Sequence, residues 1–261
     1  QRALVSRLLQ MKCIEKCLGL KWDRIEIKRT KGRKPFVSNA QKPSHMPNFN
    51  FNVSHEGDYI VLASEPVCIV GVDVAAPGQI RRRKDGQFSL EETFHSFRDQ
   101  FTQIEWQSIR ELETEKAQEE AFRRNWSCKE AFTKARGDGI GFELKRCQFD
   151  IREEDGLLSP SCTHHANVCV DGRPLGSWRF FLQSLGDHWV SVARGPPSDI
   201  VDAHGEFTRT LSKRTFTNGS EWKDEIAAPS PGFTLVGIRE IIPTEAIEEY
   251  DEIAGDFDPF S

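Results

Sequence analysis

The stretch NWSCKEAFTK, residues 125–134, concentrates three side chains able to do chemistry: Lys129, Glu130 and Lys134. At about 100° per residue, Ala121, Phe122, Asn125, Cys128, Lys129, Phe132 and Ala135 share one apolar arc of a helix, with Trp126 at its edge and Glu130 and Lys134 one step further round. Lys129 thus falls inside the buried arc. An ammonium there must meet a carboxylate or a bound anion, because an unpaired buried charge costs several kcal/mol. Glu130 and Lys134 are i,i+4 neighbours in the favourable order, so a plain surface ion pair is the bland alternative.

Upstream, VCIVGVDV (67–74) reads as a buried strand with a single acid, Asp73, near its C-terminal end. Such an acid can hold a metal or can simply start the turn into Ala75, Ala76, Pro77 and Gly78. Before it, Phe49 to Val53 and Tyr59 to Ser64 read as strands around a tight polar turn, Ser54-His55-Glu56-Gly57-Asp58. A Ser/His/Asp hydrolase triad in that turn is disfavoured. Adjacent extended residues point to opposite faces, and no nucleophile elbow surrounds Ser54.

The elements that must position these residues fall into two series. A helical segment Ala3 to Leu18 precedes strands near 24–29, 49–53, 59–64 and 67–74; a helix around 117–135 precedes strands near 145–151, 166–170, 177–184 and 188–194. In this order NVSH (52–55), VGVD (70–73) and WSCKEAFTK (126–134), with a looser GRKPF (32–36), resemble the 4'-phosphopantetheinyl transferases of the large, surfactin-synthetase-activating type. The nearest subgroup is the eukaryotic one associated with aminoadipate-semialdehyde dehydrogenase, and the resemblance spans roughly residues 1–195.

The resemblance implies an α+β fold of two pseudo-twofold, duplicated halves, each a long helix packed on a mainly antiparallel sheet. It divides the chain into an N-terminal half that binds coenzyme A (1–75), a half bearing the metal and the catalytic helix (76–195), and an acidic, partly mobile tail (196–261). A length of 261 residues suits such a duplication in a monomer. The implied activity is that of a holo-[acyl-carrier-protein] synthase, the Mg²⁺-dependent transfer of 4'-phosphopantetheine from coenzyme A to a serine of an apo acyl or peptidyl carrier protein.

By the same resemblance Asp73 and Glu130 are metal ligands, Glu130 or a water it holds is the general base, and Lys129 and Lys134 hold phosphate charge. Arg7, Arg29, Arg33, Lys34, Pro35, Ser54 and His55 contact coenzyme A. Many bacterial relatives carry a second acid two residues after the Asp; Ala75 stands there in this chain, and Glu56 is the expected third carboxylate. A coenzyme A-binding module without catalysis would not need Asp73 and Glu130 together, and a metal-dependent phosphohydrolase usually has a denser Asp/His cluster.

Charge is uneven along the chain: residues 1–58 hold 12 Lys/Arg and 5 Asp/Glu, 59–195 hold 18 and 21, and 196–261 hold 5 and 14. The basic first portion suits a pyrophosphate and a 3'-phosphate. No basic stripe interleaved with aromatics supports nucleic acid. No apolar run is long enough to span a bilayer, so no membrane partner is expected.

Seven scattered cysteines without a C-x-x-C point to reduced thiols in a cytoplasmic setting. Cys162-Thr163-His164-His165 with Cys169 fits no standard zinc spacing. The opening QRALVSRLL reads as the interior of a domain, and family members carry a further N-terminal strand, so organellar targeting stays open. Arg81-Arg82-Arg83-Lys84 reads as a solvated run. Gly137, Gly139 and Gly141 follow a helix, which suits helix termination and a close backbone passage better than a phosphate loop. In the tail, FTLVGIREII (233–242) is apolar enough to dock as an edge strand or in a groove.

Overall fold

Glycines in the left-handed region end the two long helices: α1 (Arg2–Leu18) stops at Gly19, φ 66°, and α4 (Glu115–Arg136) at Gly137, φ 85°. The structure is a computed structural model in which residues 1–78, 89–153, 164–215 and 224–254 are described. The basic run 81–84 and Cys162-Thr163 lie outside those residues.

In the first half, α1 buries Met11 and Ile14 against Ile25, Val37, Phe49 and Phe51. It is followed by β1 (Ile27–Arg29) and β2 (Pro35–Val37), which pair with each other, and by an antiparallel hairpin of β3 (Asn50–Glu56) and β4 (Tyr59–Glu65). The hairpin turns over Gly57, whose φ of 52° a side chain would resist. Ser54 and His55, expected in a turn, therefore lie on a strand that runs on to Glu56, with Ser54 buried and His55 exposed.

The second half is an antiparallel sheet in the order β5-β10-β9-β7-β6: β5 (Ile69–Ala75), β10 (His188–Gly195), β9 (Arg179–Leu185), β7 (His164–Val170) and β6 (Cys147–Glu153). A short β8 (Arg173–Pro174) lies on β7. The boundary expected at 75/76 would give β5 to the first half; its hydrogen bonds to β10, from Ile69↔Gly195 to Ala75↔Trp189, put it in the second sheet. All seven residues of β5 are buried, which is why that run lacks alternation. Cys128, Ala131, Phe132 and Ala135 of α4 fill the core against Ile69, Phe180 and Leu182.

Two short helices that the strand and helix periods did not reveal, α2 (Leu90–Ser96) and α3 (Gln103–Arg110), start on capping boxes, Ser89 with Glu92 and Thr102 with Glu105. They bring Phe94, Phe101 and Ile109 onto Phe122 of α4.

Gly71 of the VGVD motif sits where β5 meets α4: a Cβ there would lie 2.0 Å from the carbonyl oxygen of Ala131 and 2.4 Å from the Ala135 nitrogen. Neither backbone atom can yield without moving the helix that carries Glu130 and Lys134. Gly71→Ala is expected to cost ~3 kcal/mol or more and to misplace the site. Urea unfolding with a parallel activity assay checks this, and a loss below about 1 kcal/mol would contradict the close approach.

Described parts of the acidic tail lie against the body. Phe207 is fully buried and, with Leu211, packs on Phe36; Val201 N–H donates to Arg136 O (2.8 Å), and Arg194 donates to Ala228 O (2.7 Å). Within FTLVGIREII, Ile238–Ile241 is a single helical turn with Ile241 buried, not an edge strand. The six described cysteines, Cys13, Cys17, Cys68, Cys128, Cys147 and Cys169, are free thiols. Among the described residues no helix is long and apolar enough to cross a membrane.

Candidate active site

Side chains, not a strand ladder, join β3 to β5. Asn50 Oδ1 accepts from Val70 N–H and Asn52 Oδ1 from Val72 N–H, both at 3.0 Å; Ser54 Oγ donates to Asp73 Oδ1 (2.8 Å); Glu56 Oε2 accepts from Ala76 N–H at 3.5 Å. Alternate residues of a strand share a face, so N-x-N-x-S-x-E forms one polar ladder that fixes the two halves in register and delivers Ser54 to Asp73. The alternation was present in the sequence, but its partner strand was not evident from it.

At the end of that ladder Lys134, one face of α4, reaches down to the same acid. Its Nζ lies 2.5 Å from Asp73 Oδ1 and 3.0 Å from Ser54 Oγ. Burial lowers the affinity of Lys134 for its proton, but the charge and hydrogen bond of Asp73, with the charges of Glu130 and Glu56, outweigh it and raise the pKa. Burial and then the charge of Asp73 push the Glu130 carboxyl up to about 7 against the pull of Lys134. Glu56 is likewise pushed up to about 7, by burial first and Asp73 second. Three carboxyls thus surround one ammonium, a surplus of negative charge that a divalent cation would relieve.

The residues present fit Mg²⁺. Asp73 Oδ2 is buried without a hydrogen-bond partner, and Mg²⁺ prefers oxygen donors, often only one or two protein carboxylates. Yet among the described residues no group of three or more His, Cys, Asp or Glu side chains is gathered closely enough to hold a metal. Glu56 therefore does not complete a ready-made set with Asp73 and Glu130; it faces Ala76 and acts on the site through its charge.

Above these groups opens a cleft of about 790 Å³ between the halves. Arg29, Gly32, Arg33, Lys34 and Pro35 line one wall, Trp126, Glu130 and Lys134 of α4 another, and residues 139–145 the rim. Arg33 takes φ 71°, unusual for a side chain with a Cβ, in the loop that carries the guanidiniums. That loop rests directly on the segment after α4, since a Cβ on Gly32 would lie 1.9 Å from Gly137 O and one on Gly139 would lie 2.9 Å from Gly32 Cα. Gly137 thus ends the helix and Gly139 serves close passage, as expected, whereas a Cβ on Gly141 would meet open space.

Four expected contacts fall elsewhere. Lys34 lines the cleft with its chain only; its Nζ donates to Val70 O (2.6 Å) and Lys134 O (3.3 Å), clamping β5 and α4 from within. Lys129 turns away from the cleft entirely. Its ammonium, 0% exposed, pairs with Glu105 at 2.9 Å and donates to the carbonyls of Leu144 and Cys147. Glu105, at 1% exposure, also accepts from Thr102 N–H (2.8 Å) and from Phe149 N–H (2.9 Å). The demand for a carboxylate beside Lys129 was readable; which of many glutamates meets it was not, although the T-x-x-E capping pattern marks this one. Arg7 and His55 are exposed and do not line the cleft.

Burial alone pushes the Lys34 pKa down from 10.5 to about 7. The folded chain then binds this proton more weakly than the unfolded chain, so stability is fully present above 10.5 and is lost as pH falls through about 7. Relative to Lys34→Met, wild type is expected to gain stability as pH rises from about 7 to about 9.5. Urea midpoints at the two pH values check this; a pH-independent difference would contradict it.

The two halves coincide with known families. Residues 1–67 match the N-terminal 4'-phosphopantetheinyl transferase family, and residues 69–193 match the 4'-phosphopantetheinyl transferase superfamily. The chain is 36% identical to the human L-aminoadipate-semialdehyde dehydrogenase-phosphopantetheinyl transferase over 82% of its own length and 68% of the relative's. It is 34% identical to the mouse protein of the same name over the same shares. The chain belongs to the 4'-phosphopantetheinyl transferase superfamily, transferases that act on carrier proteins. A phosphopantetheinyl transferase of a Thraustochytrium species is 39% identical over 74% of this chain and 63% of the relative. The mixed helix and antiparallel sheet architecture agrees with that family.

Proposed function

We propose that this chain transfers 4'-phosphopantetheine from coenzyme A to the serine hydroxyl of an apo acyl or peptidyl carrier protein, with Mg²⁺, releasing adenosine 3',5'-bisphosphate. The observation that carries the reading is the cleft itself: Arg29 and Arg33 on one wall, Glu130 and Lys134 on the other, and Asp73, with one unpartnered oxygen, bonded to Lys134. Asp73 and Glu130 would hold Mg²⁺, which when bound neutralises the pyrophosphate and stabilises the departing phosphate.

The chain's own groups carry the remaining tasks. Arg29 and Arg33 bind phosphate oxygens with fixed, multidentate donors. Lys134, kept protonated by Asp73, holds charge that develops on the transferring phosphoryl group. Glu130 accepts the serine proton; a carboxyl near neutrality is well matched to a general base. The serine oxygen bonds to the β-phosphorus as the bond to the bridging oxygen breaks, and that oxygen leaves with the nucleotide. Arg7 and His55, both exposed, stay assigned to coenzyme A on the strength of the resemblance, His55 to its 3'-phosphate. The cytoplasm and a monomeric state belong to the same reading.

Incubation of an apo carrier protein with this protein, coenzyme A and Mg²⁺ should add the mass of one phosphopantetheine group, read by mass spectrometry. No mass gain on any of several carriers would overturn the reading. Glu56→Gln is expected to change the Mg²⁺ concentration needed for half-activity by less than about tenfold, since it removes charge but no ligand. A larger change would return Glu56 to the ligand set.

A further inference from the structure

A second cleft, of about 660 Å³, lies between β1–β2 and residues 206–212, apart from the candidate active site. Three cations line it, Lys28, Lys42 and Arg209, against one acid, Glu206. None of the three cations has a carboxylate within ion-pair distance among the described residues, and Lys42 Nζ has a single hydrogen-bond partner, Thr210 Oγ1 at 3.1 Å. That hydroxyl is itself committed as a donor to Phe207 O at 2.7 Å. Among the described residues Lys42 Nζ thus has no second acceptor, and burial pushes its pKa down to about 7. Such an ammonium favours a nearby anion.

We infer that this cleft is a second anion site, built for a small ligand carrying phosphate groups. The chemistry follows from the lining. A guanidinium and two ammoniums line the cleft with the hydroxyl of Ser212, while the hydroxyls of Ser38 and Thr210 donate to Glu26 and Phe207; strong cationic donors of this kind match tetrahedral oxyanions. The volume lies in the small-molecule range, about 300–1,000 Å³.

The site is separate from the transferase cleft. Lys28 and Arg29 are successive residues of β1 and so face opposite ways: Arg29 lines the first cleft and Lys28 the second. Phe36, which lines the second cleft only, packs on Phe207 with ring centroids 5.6 Å apart. Lys42 comes from the first half and Arg209 from the tail, so a bound anion would bridge the two and hold the tail on β2.

Equilibrium dialysis of inorganic pyrophosphate against the full chain, without Mg²⁺, tests the site. Wild type is expected to bind two equivalents. Lys42→Gln/Arg209→Gln should retain one and weaken the other at least about tenfold, with transferase activity unchanged as the check on folding. Arg29→Gln/Arg33→Gln should remove the other equivalent, so the two sites, and a failure of the proposed function, remain distinguishable. Should Arg209→Gln alone and the double variant both bind pyrophosphate as wild type does, the second site does not exist.

Discussion

Asp73→Asn is expected to lower turnover by about 10²- to 10³-fold while the protein stays folded. The amide keeps the shape of the side chain and an acceptor for the Ser54 hydroxyl, which donates at 2.8 Å, so the polar ladder between β3 and β5 is preserved. What disappears is the charge that holds Lys134 protonated and the free oxygen that would take a cation. Glu130→Gln should cost turnover to a similar extent and also change the pH profile. A base must be ionised to act, so wild-type activity should fall as pH drops through the Glu130 pKa, at or below about 7 once a cation is nearby, and the variant should lack that limb. Steady-state rates between about pH 5.5 and pH 8.5, with circular dichroism as the check on folding, decide both. A Glu130→Gln enzyme within threefold of wild type would remove this residue from the mechanism.

Lys129→Met is expected to destabilise the fold by ~3–5 kcal/mol, because it strands the charge of Glu105 in a fully buried position. Lys129→Met/Glu105→Leu should recover part of that loss by removing the second charge. Recovery stays incomplete because the Phe149 N–H and the carbonyls of Leu144 and Cys147 lose their partners. The Michaelis constant for coenzyme A should be unchanged in any variant that folds, since the ammonium faces α3 and β6 rather than the cleft. Urea unfolding and substrate titration separate the two effects. Unchanged stability with a raised Michaelis constant would place Lys129 on the substrate instead.

The three motifs, their order and the families they point to were open to reading from residue types alone, as were both long helices and the main strands of each sheet. Hydrophobic periods and glycine stops are local properties, and local properties survive in a linear string. The polar ladder of Asn50, Asn52, Ser54 and Glu56 was also written there as an alternation, but its meaning depends on β5 lying alongside, which no local rule states. Gly71 is similar: its role follows from the backbone of α4 standing 2.0 Å from where a Cβ would be.

For the lysines, the sequence determined that Lys129 is buried and needs an anion, and that Lys134 shares its helix with Glu130. Only the tertiary structure decided which anion each one meets. Lys129 and Lys134 are five residues apart on α4, a separation of about 140° around the axis, so they face different neighbours. One finds Glu105 on a helix that the periods did not reveal; the other finds Asp73 on β5, the strand packed against α4. Lys34, basic and beside the cleft, was expected to bind phosphate and instead binds two carbonyls, because its depth leaves its ammonium nearer the backbone of β5 and α4 than the solvent. Charge and spacing name the groups that could act; depth and direction, which only the packed chain fixes, select those that do.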